Sequence, residues 1–259
     1  MRVFHCTRAA LAGLLVAAVL TASAGRASAQ SSPDSAFTVY VRGAVVGTET
    51  VTVIESPEGW TVTSTGRMGA PVDLQIRQFR ARYDRNWRPI DLTIDATLRG
   101  QPSFLSTTIS GTTASSELAG APGTERVRRT DTIAADAVLM PNPFIAPYET
   151  LAARVRTAPE GTTFSLYQPG QGSFSAIVGP SAPERLQTVD RVIDARRTVL
   201  TFQAQSQPPT ETEIWADEKG RLLRLRIPTQ GLEVARLDMS AVSTRRLTMT
   251  SAGAAYLEK

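Results

Sequence analysis

Beyond residue 30, only residues 140–155 repeat their apolar positions at helical spacing, and this limits what the chain can fold into. Ile145, Tyr148, Leu151, Ala152 and Val155 fall on one stripe of a helix. Two starts are open. Asn142 caps with Pro143 at the first helical position, or the helix begins at Pro147 and places Glu149 in its first turn, where a carboxylate suits the dipole. Strand-like sequence flanks this helix of about 143–156 on both sides. A lone helix amid sheet serves most simply as the plug of a curved sheet.

The strand signal is alternation. Phe37, Val39 and Val41 alternate with polar residues, 43–47 reads as a turn, and 49–55 completes a hairpin. Residues 90–99 alternate most cleanly, with Ile90, Leu92, Ile94, Ala96 and Leu98 on one face. Between residues 72 and 83 the apolar parity flips: Val72, Leu74 and Ile76 give way to Phe79, Ala81 and Tyr83, which predicts a bulge. After the helix, strands at 162–168, 173–178, 184–194 and 198–204 are separated by Gly and Pro pairs, Gly179-Pro180 among them. Residues 211–216 and 221–227 form a hairpin around Asp217-Glu218-Lys219-Gly220, and 231–239 is a last strand. About a dozen strands joined by short connections imply an antiparallel meander. So long a sheet accumulates twist and exposes its edges if flat. The expected fold is mainly β: a large curved antiparallel sheet, half-barrel or barrel, packed on one central helix, in a single domain over 30–259.

The opening is of another kind. Arg2 and Arg8 precede an apolar run at 9–20 and an Ala27-Ser28-Ala29 site, the pattern of a secretory signal peptide over residues 1–29. The run is shorter than the ~20 residues of a spanning helix. The expectation is a periplasmic or secreted protein, not integral to the membrane. Cleavage would remove His5 and Cys6, the only histidine and cysteine. That excludes a disulfide, Ser-His-Asp or Cys-His catalysis, and the usual zinc or copper ligands. It would also remove three arginines, leaving 25 basic against 24 acidic residues, a net charge of +1. Without a basic field there is no electrostatic footprint for nucleic acid. No cofactor or metal is expected.

Three stretches carry a resemblance: Val41-Arg42-Gly43 with Gly47-Thr48-Glu49-Thr50-Val51; Pro141-Asn142 with Phe144 and Tyr148-Glu149-Thr150-Leu151-Ala152; and Trp215-Ala216-Asp217 with Gly220-Arg221-Leu222-Leu223-Arg224-Leu225. They resemble the opening hairpin, central helix and closing hairpin of exported bacterial β-rich domains of unknown function. In some of those proteins the domain precedes an α/β-hydrolase domain. The pattern is also loosely similar to the half-open barrels of periplasmic lipoprotein carriers, whose concave apolar face holds acyl chains. No Gly-x-Ser-x-Gly elbow is present, so the hydrolase chemistry of such second domains is not expected here.

Candidate ligand-binding residues are Trp60, Phe79, Phe144, Tyr148, Leu151 and Trp215, apolar positions that either line a cavity between helix and sheet or fill a core. Asp91 with Asp95, and Glu211 with Glu213, share strand faces. They suit a carboxylate-dependent hydrolase or simply a solvated face. Arginine stripes at Arg77, Arg80 and Arg82, at Arg126, Arg128 and Arg129, and at Arg224 and Arg226 either bind anionic head groups or pair with cross-strand acids. The leading expectation is a non-catalytic exported module holding an apolar or lipid-like ligand. The alternatives are an interaction domain for a separately encoded exported enzyme, and a carboxylate-dependent hydrolase.

Overall fold

The computed structural model describes residues 30–31, 35–120, 125–188, 191–205 and 207–239. The expected leader, with His5 and Cys6, and the chain end beyond 239 lie outside the described residues.

The chain forms one curved sheet from two meanders. After a two-residue strand, β1 (Gln30–Ser31), the first meander runs through β2 (Ser35–Val41), β3 (Ala44–Ser56), β4 (Gly59–Met68), β5 (Leu74–Asp84), β6 (Pro89–Leu98), β7 (Gln101–Ser110), β8 (Thr113–Ala119) and β9 (Val127–Thr132). The chain then crosses to the opposite edge of the sheet through β10 (Val138–Leu139) and helix α1 (Ala146–Val155). The second meander follows: β11 (Thr163–Gln168), β12 (Gly172–Gln187), β13 (Val192–Gln203), β14 (Thr210–Asp217), β15 (Leu222–Ile227) and β16 (Leu232–Arg236). Strand β16 pairs antiparallel with β2 and so joins the two meanders. β10 and β11 run parallel, a pairing that requires a crossover, and α1 is that crossover.

The sheet rolls until its edges meet. Ile133 donates its N–H to the Thr112 carbonyl at 2.8 Å, turning the chain off β9. Across the seam the Tyr167 hydroxyl of β11 donates to Asp131 of β9 at 2.7 Å, and Arg129 reaches the Gly170 carbonyl at 2.8 Å. Side chains thus bridge β9 to β11 and its turn, without backbone pairing between the edge strands β9 and β10 among the described residues. Burial pushes the Tyr167 hydroxyl up to about 12, so it stays a donor at any physiological pH.

The concave face carries the core, with Val39, Val51, Val62, Phe79 and Leu92 from one meander and Leu166, Leu200, Ile214 and Leu225 from the other. Into it α1 inserts the expected stripe: Ile145, Leu151, Ala152 and Val155 are buried and Tyr148 is half-buried. Removing a leucine-sized side chain from water contributes about 2 kcal/mol, and the stripe supplies several such increments. A smaller cluster of Leu186, Ala195, Trp215, Leu223 and Met239 forms a second patch apart from that core.

The parity flip in β5 is a bulge, with a register shift against β6 between Ile76 and Gln78. Other expectations are corrected. Residues 173–178 and 184–194 are not separate strands divided by a turn at Gly179-Pro180. β12 passes straight through, with an irregularity between Val178 and Ser181, because a bulge accommodates a proline that has no N–H for the ladder. The first hairpin turns at Arg42-Gly43 alone, both with positive φ, as a two-residue hairpin loop prefers, so β3 starts at Ala44 rather than after Gly47. The two-residue strands β1 and β10 were not expected, and the total is 16 where about a dozen were expected.

Candidate functional site

The site is built from the way α1 is seated. Its N-cap, Ile145, offers no side-chain cap, and Pro147 stands in its first turn. The helix therefore starts close to the second of the two expected positions, and Asn142 does not cap it. The orphan N–H groups of Ile145 and Ala146 are instead accepted by the Glu49 carboxylate of β3, at 2.9 and 3.0 Å. Ser64 of β4 donates a third bond to Glu49 at 2.7 Å. Burial raises the Glu49 carboxyl above its ordinary value, against the pull of these three bonds. Gly66 lets β4 approach this closely, since a Cβ there would lie 2.5 Å from the Thr48 carbonyl oxygen.

Glu149, expected to serve the dipole from the first turn, has another role. Its carboxylate accepts the Leu222 N–H of β15 at 3.0 Å and pairs with Arg221 at 3.1 Å. Two buried carboxylates thus fix the helix, one to β3 and β4, the other to β15.

Beside the helix start, the space between α1 and the sheet is open: a cavity of about 560 Å³, within the size range of small-molecule sites. Its floor is apolar, with Val39, Met68, Met140, Phe144, Ile145 and Ile227. Three half-buried aromatic rings form one wall. Tyr148 stacks on Phe202 at 6.5 Å between centroids, and Phe174 meets Phe202 edge-on at 6.2 Å. The rim carries Gln168 and Gln171 from the β11–β12 turn, Gln205 and Gln207 from the β13–β14 loop, and Gln230 after β15. Among the described residues, no Asp, Glu, Lys or Arg lines the cavity.

Of the six candidate residues, Phe144 and Tyr148 line this cavity. Phe79 and Leu151 lie beneath it in the core, Phe79 packed on Phe144 at 5.5 Å. Trp60 sits at the far end of β4 from Met68, stacked on Trp87 at 4.6 Å. Trp215 belongs to the second cluster, while its neighbours Ile214 and Ala216 join the main core from the opposite face of β14. Its indole N–H donates to Glu184 at 2.8 Å, and the Arg224 and Arg197 guanidinium groups lie 4.9 and 5.7 Å from its ring. Phe174 and Phe202 are aromatics at apolar strand positions in the sequence, and they do line the cavity; sequence reading missed Glu49 and the glutamines. Glu49 alone left a local trace, a carboxylate at the same strand parity as buried Val51 and Val53.

The charged stripes are paired across strands. Arg82 and Arg80 meet Asp91, Arg77 meets Asp95, Arg126 and Arg128 meet Glu117, and Glu213 lies between Arg197 and Arg226. Neither candidate acid pair reaches the cavity, which leaves it without the two carboxylates that glycoside hydrolysis uses. Among the described residues, no cluster of three or more potential metal ligands occurs, and no helix is long and apolar enough to cross a membrane.

No protein-family model matches the chain, and no curated protein does. Solved structures similar to it in outline include the following two. One is the crystal structure of a β-barrel-like protein of domain of unknown function DUF1849 from Brucella abortus, 7% identical, with a TM-score of 0.49 over 78% of this chain and 93% of that one. The other is a DUF1089 family protein from Pseudomonas aeruginosa, 10% identical, with a TM-score of 0.34 over 77% of this chain and 92% of that one.

Proposed function

We propose that the protein is an exported binding module that holds an apolar or lipid-like molecule in the cavity between α1 and the sheet. The observation that carries this reading is the cavity itself. Protein interiors pack to crystal-like density, so about 560 Å³ of open space over an apolar floor stands out from a filled core. Export is supported by the basic and apolar opening that ends at Ala27-Ser28-Ala29. Tyr148, Phe144 and Phe202 would contact the ligand. Phe79 and Leu151 would hold Phe144 and the helix in place from below.

The test is organic extraction of the protein purified from an exported fraction, followed by mass spectrometry, with thermal shift measurements against acyl lipids. A co-purifying apolar molecule, or a rise in Tm with acyl lipids, is the expected result. A clean extract together with no thermal shift for any acyl lipid would overturn the reading.

A further inference from the structure

The absence of charge from the cavity wall narrows the ligand, on the assumption that the cavity is a binding site. Charged residues make up 20% of the chain, which would place five among the 25 residues lining the cavity; among the described residues there are none. The polar positions are neutral instead, the hydroxyls of Ser173 and Thr210 and, above all, carboxamides. Five of the chain's eleven glutamines line this one cavity, and none of their side chains has a hydrogen-bond partner among the described residues. They come from three separate connections, so no single loop's composition accounts for them.

A carboxamide presents a donor and an acceptor together, which matches a hydroxyl, an ester or another amide. It cannot neutralise an anion. A carboxylate or phosphate seated at this rim would lose part of its hydration without meeting a cation, a costly exchange. Arg42 packs beside the rim at Gly231 without lining the cavity, and the other source of positive potential is the N-terminus of α1, which adjoins the cavity through Ile145. It is already occupied, because the Ile145 and Ala146 N–H groups are bound by Glu49. The wall therefore offers an anionic head group neither a basic side chain nor a free helix end.

We infer that the cavity selects an uncharged amphiphile, with its apolar chain against Met68, Met140 and Phe144 and its hydroxyl, ester or amide head among the glutamines, over an anionic lipid of the same chain length. The decisive comparison uses 1-monolauroylglycerol and laurate, which share an acyl chain, titrated calorimetrically into the mature protein at pH 8 below their micelle concentrations. Monolauroylglycerol should bind at least about tenfold more tightly. Gln207→Lys and Gln230→Lys lie on the exposed rim, where substitution leaves the core untouched, and each should tighten laurate binding and narrow that gap. Equal or tighter laurate binding by the wild-type protein, or no gain for laurate in either lysine variant, overturns the neutral-ligand inference while the apolar-cavity reading stands. If neither amphiphile binds, the reading beneath it fails as well.

Discussion

The two sides of α1 treat polar groups in opposite ways. On the seated side, Glu49 and Glu149 are buried and engaged: Glu49 accepts two backbone N–H groups and the Ser64 hydroxyl, and Glu149 accepts one backbone N–H and the Arg221 guanidinium. On the cavity side, the polar groups are neutral, lie at the rim and are unpartnered among the described residues. A buried charge survives folding only when its bonds are complete, so the seated side is architecture. Polar groups that the fold does not use are free for something else, and here they ring an opening.

The comparison breaks most visibly at Glu149. Glu149→Leu leaves the Arg221 guanidinium without its carboxylate and the Leu222 N–H without an acceptor. The expected loss is about 3–5 kcal/mol in denaturant unfolding. Glu149→Leu combined with Arg221→Leu should recover part of it.

Glu49→Gln is milder and sharpens the contrast through pH. The amide keeps the shape but turns one donor toward the N–H groups it should accept from, at a cost of about 1–2 kcal/mol near pH 4.5. Because burial raises the Glu49 carboxyl above 4.5, the folded chain holds that proton more tightly than the unfolded chain does. That contribution is present at low pH and is lost as pH rises through the raised folded value. The deficit of Glu49→Gln relative to wild type should therefore shrink from pH 4.5 upward in paired denaturation curves. A deficit that grows with pH would contradict the seat as described.

How much of this is written locally explains what sequence reading reached. The helix stripe and the β5 bulge are legible because each is a period or a break in a period. Glu49 is legible only in retrospect, as a carboxylate at core parity whose partners, Ile145 and Ala146, lie far along the chain. Gly179-Pro180 misleads because turns and bulges use the same residues. The glutamine rim has no local signature at all, since Gln168, Gln205 and Gln230 meet only when the second meander folds. Trp215 reads as a cavity residue because alternation tells which residues share a face, not which face is concave.

On the cavity side, Gln171→Ala and Gln205→Ala should change stability by less than about 0.5 kcal/mol yet weaken monolauroylglycerol binding measurably by calorimetry. The outer ion pairs should matter least. Arg82→Ala removes a half-exposed partner of Asp91, with an expected cost below about 1 kcal/mol that fades as salt is added to thermal melts.

The methionines give the most direct measurement of the central claim. Met68 and Met140 line the cavity, whereas Met239 sits in the separate cluster beside Leu223. With methyl-labelled methionine, adding monolauroylglycerol should shift the Met68 and Met140 resonances in the NMR spectrum and leave Met239 where it is. Shifts confined to Met239, or none at saturating amphiphile, would contradict a ligand held between the helix and the sheet.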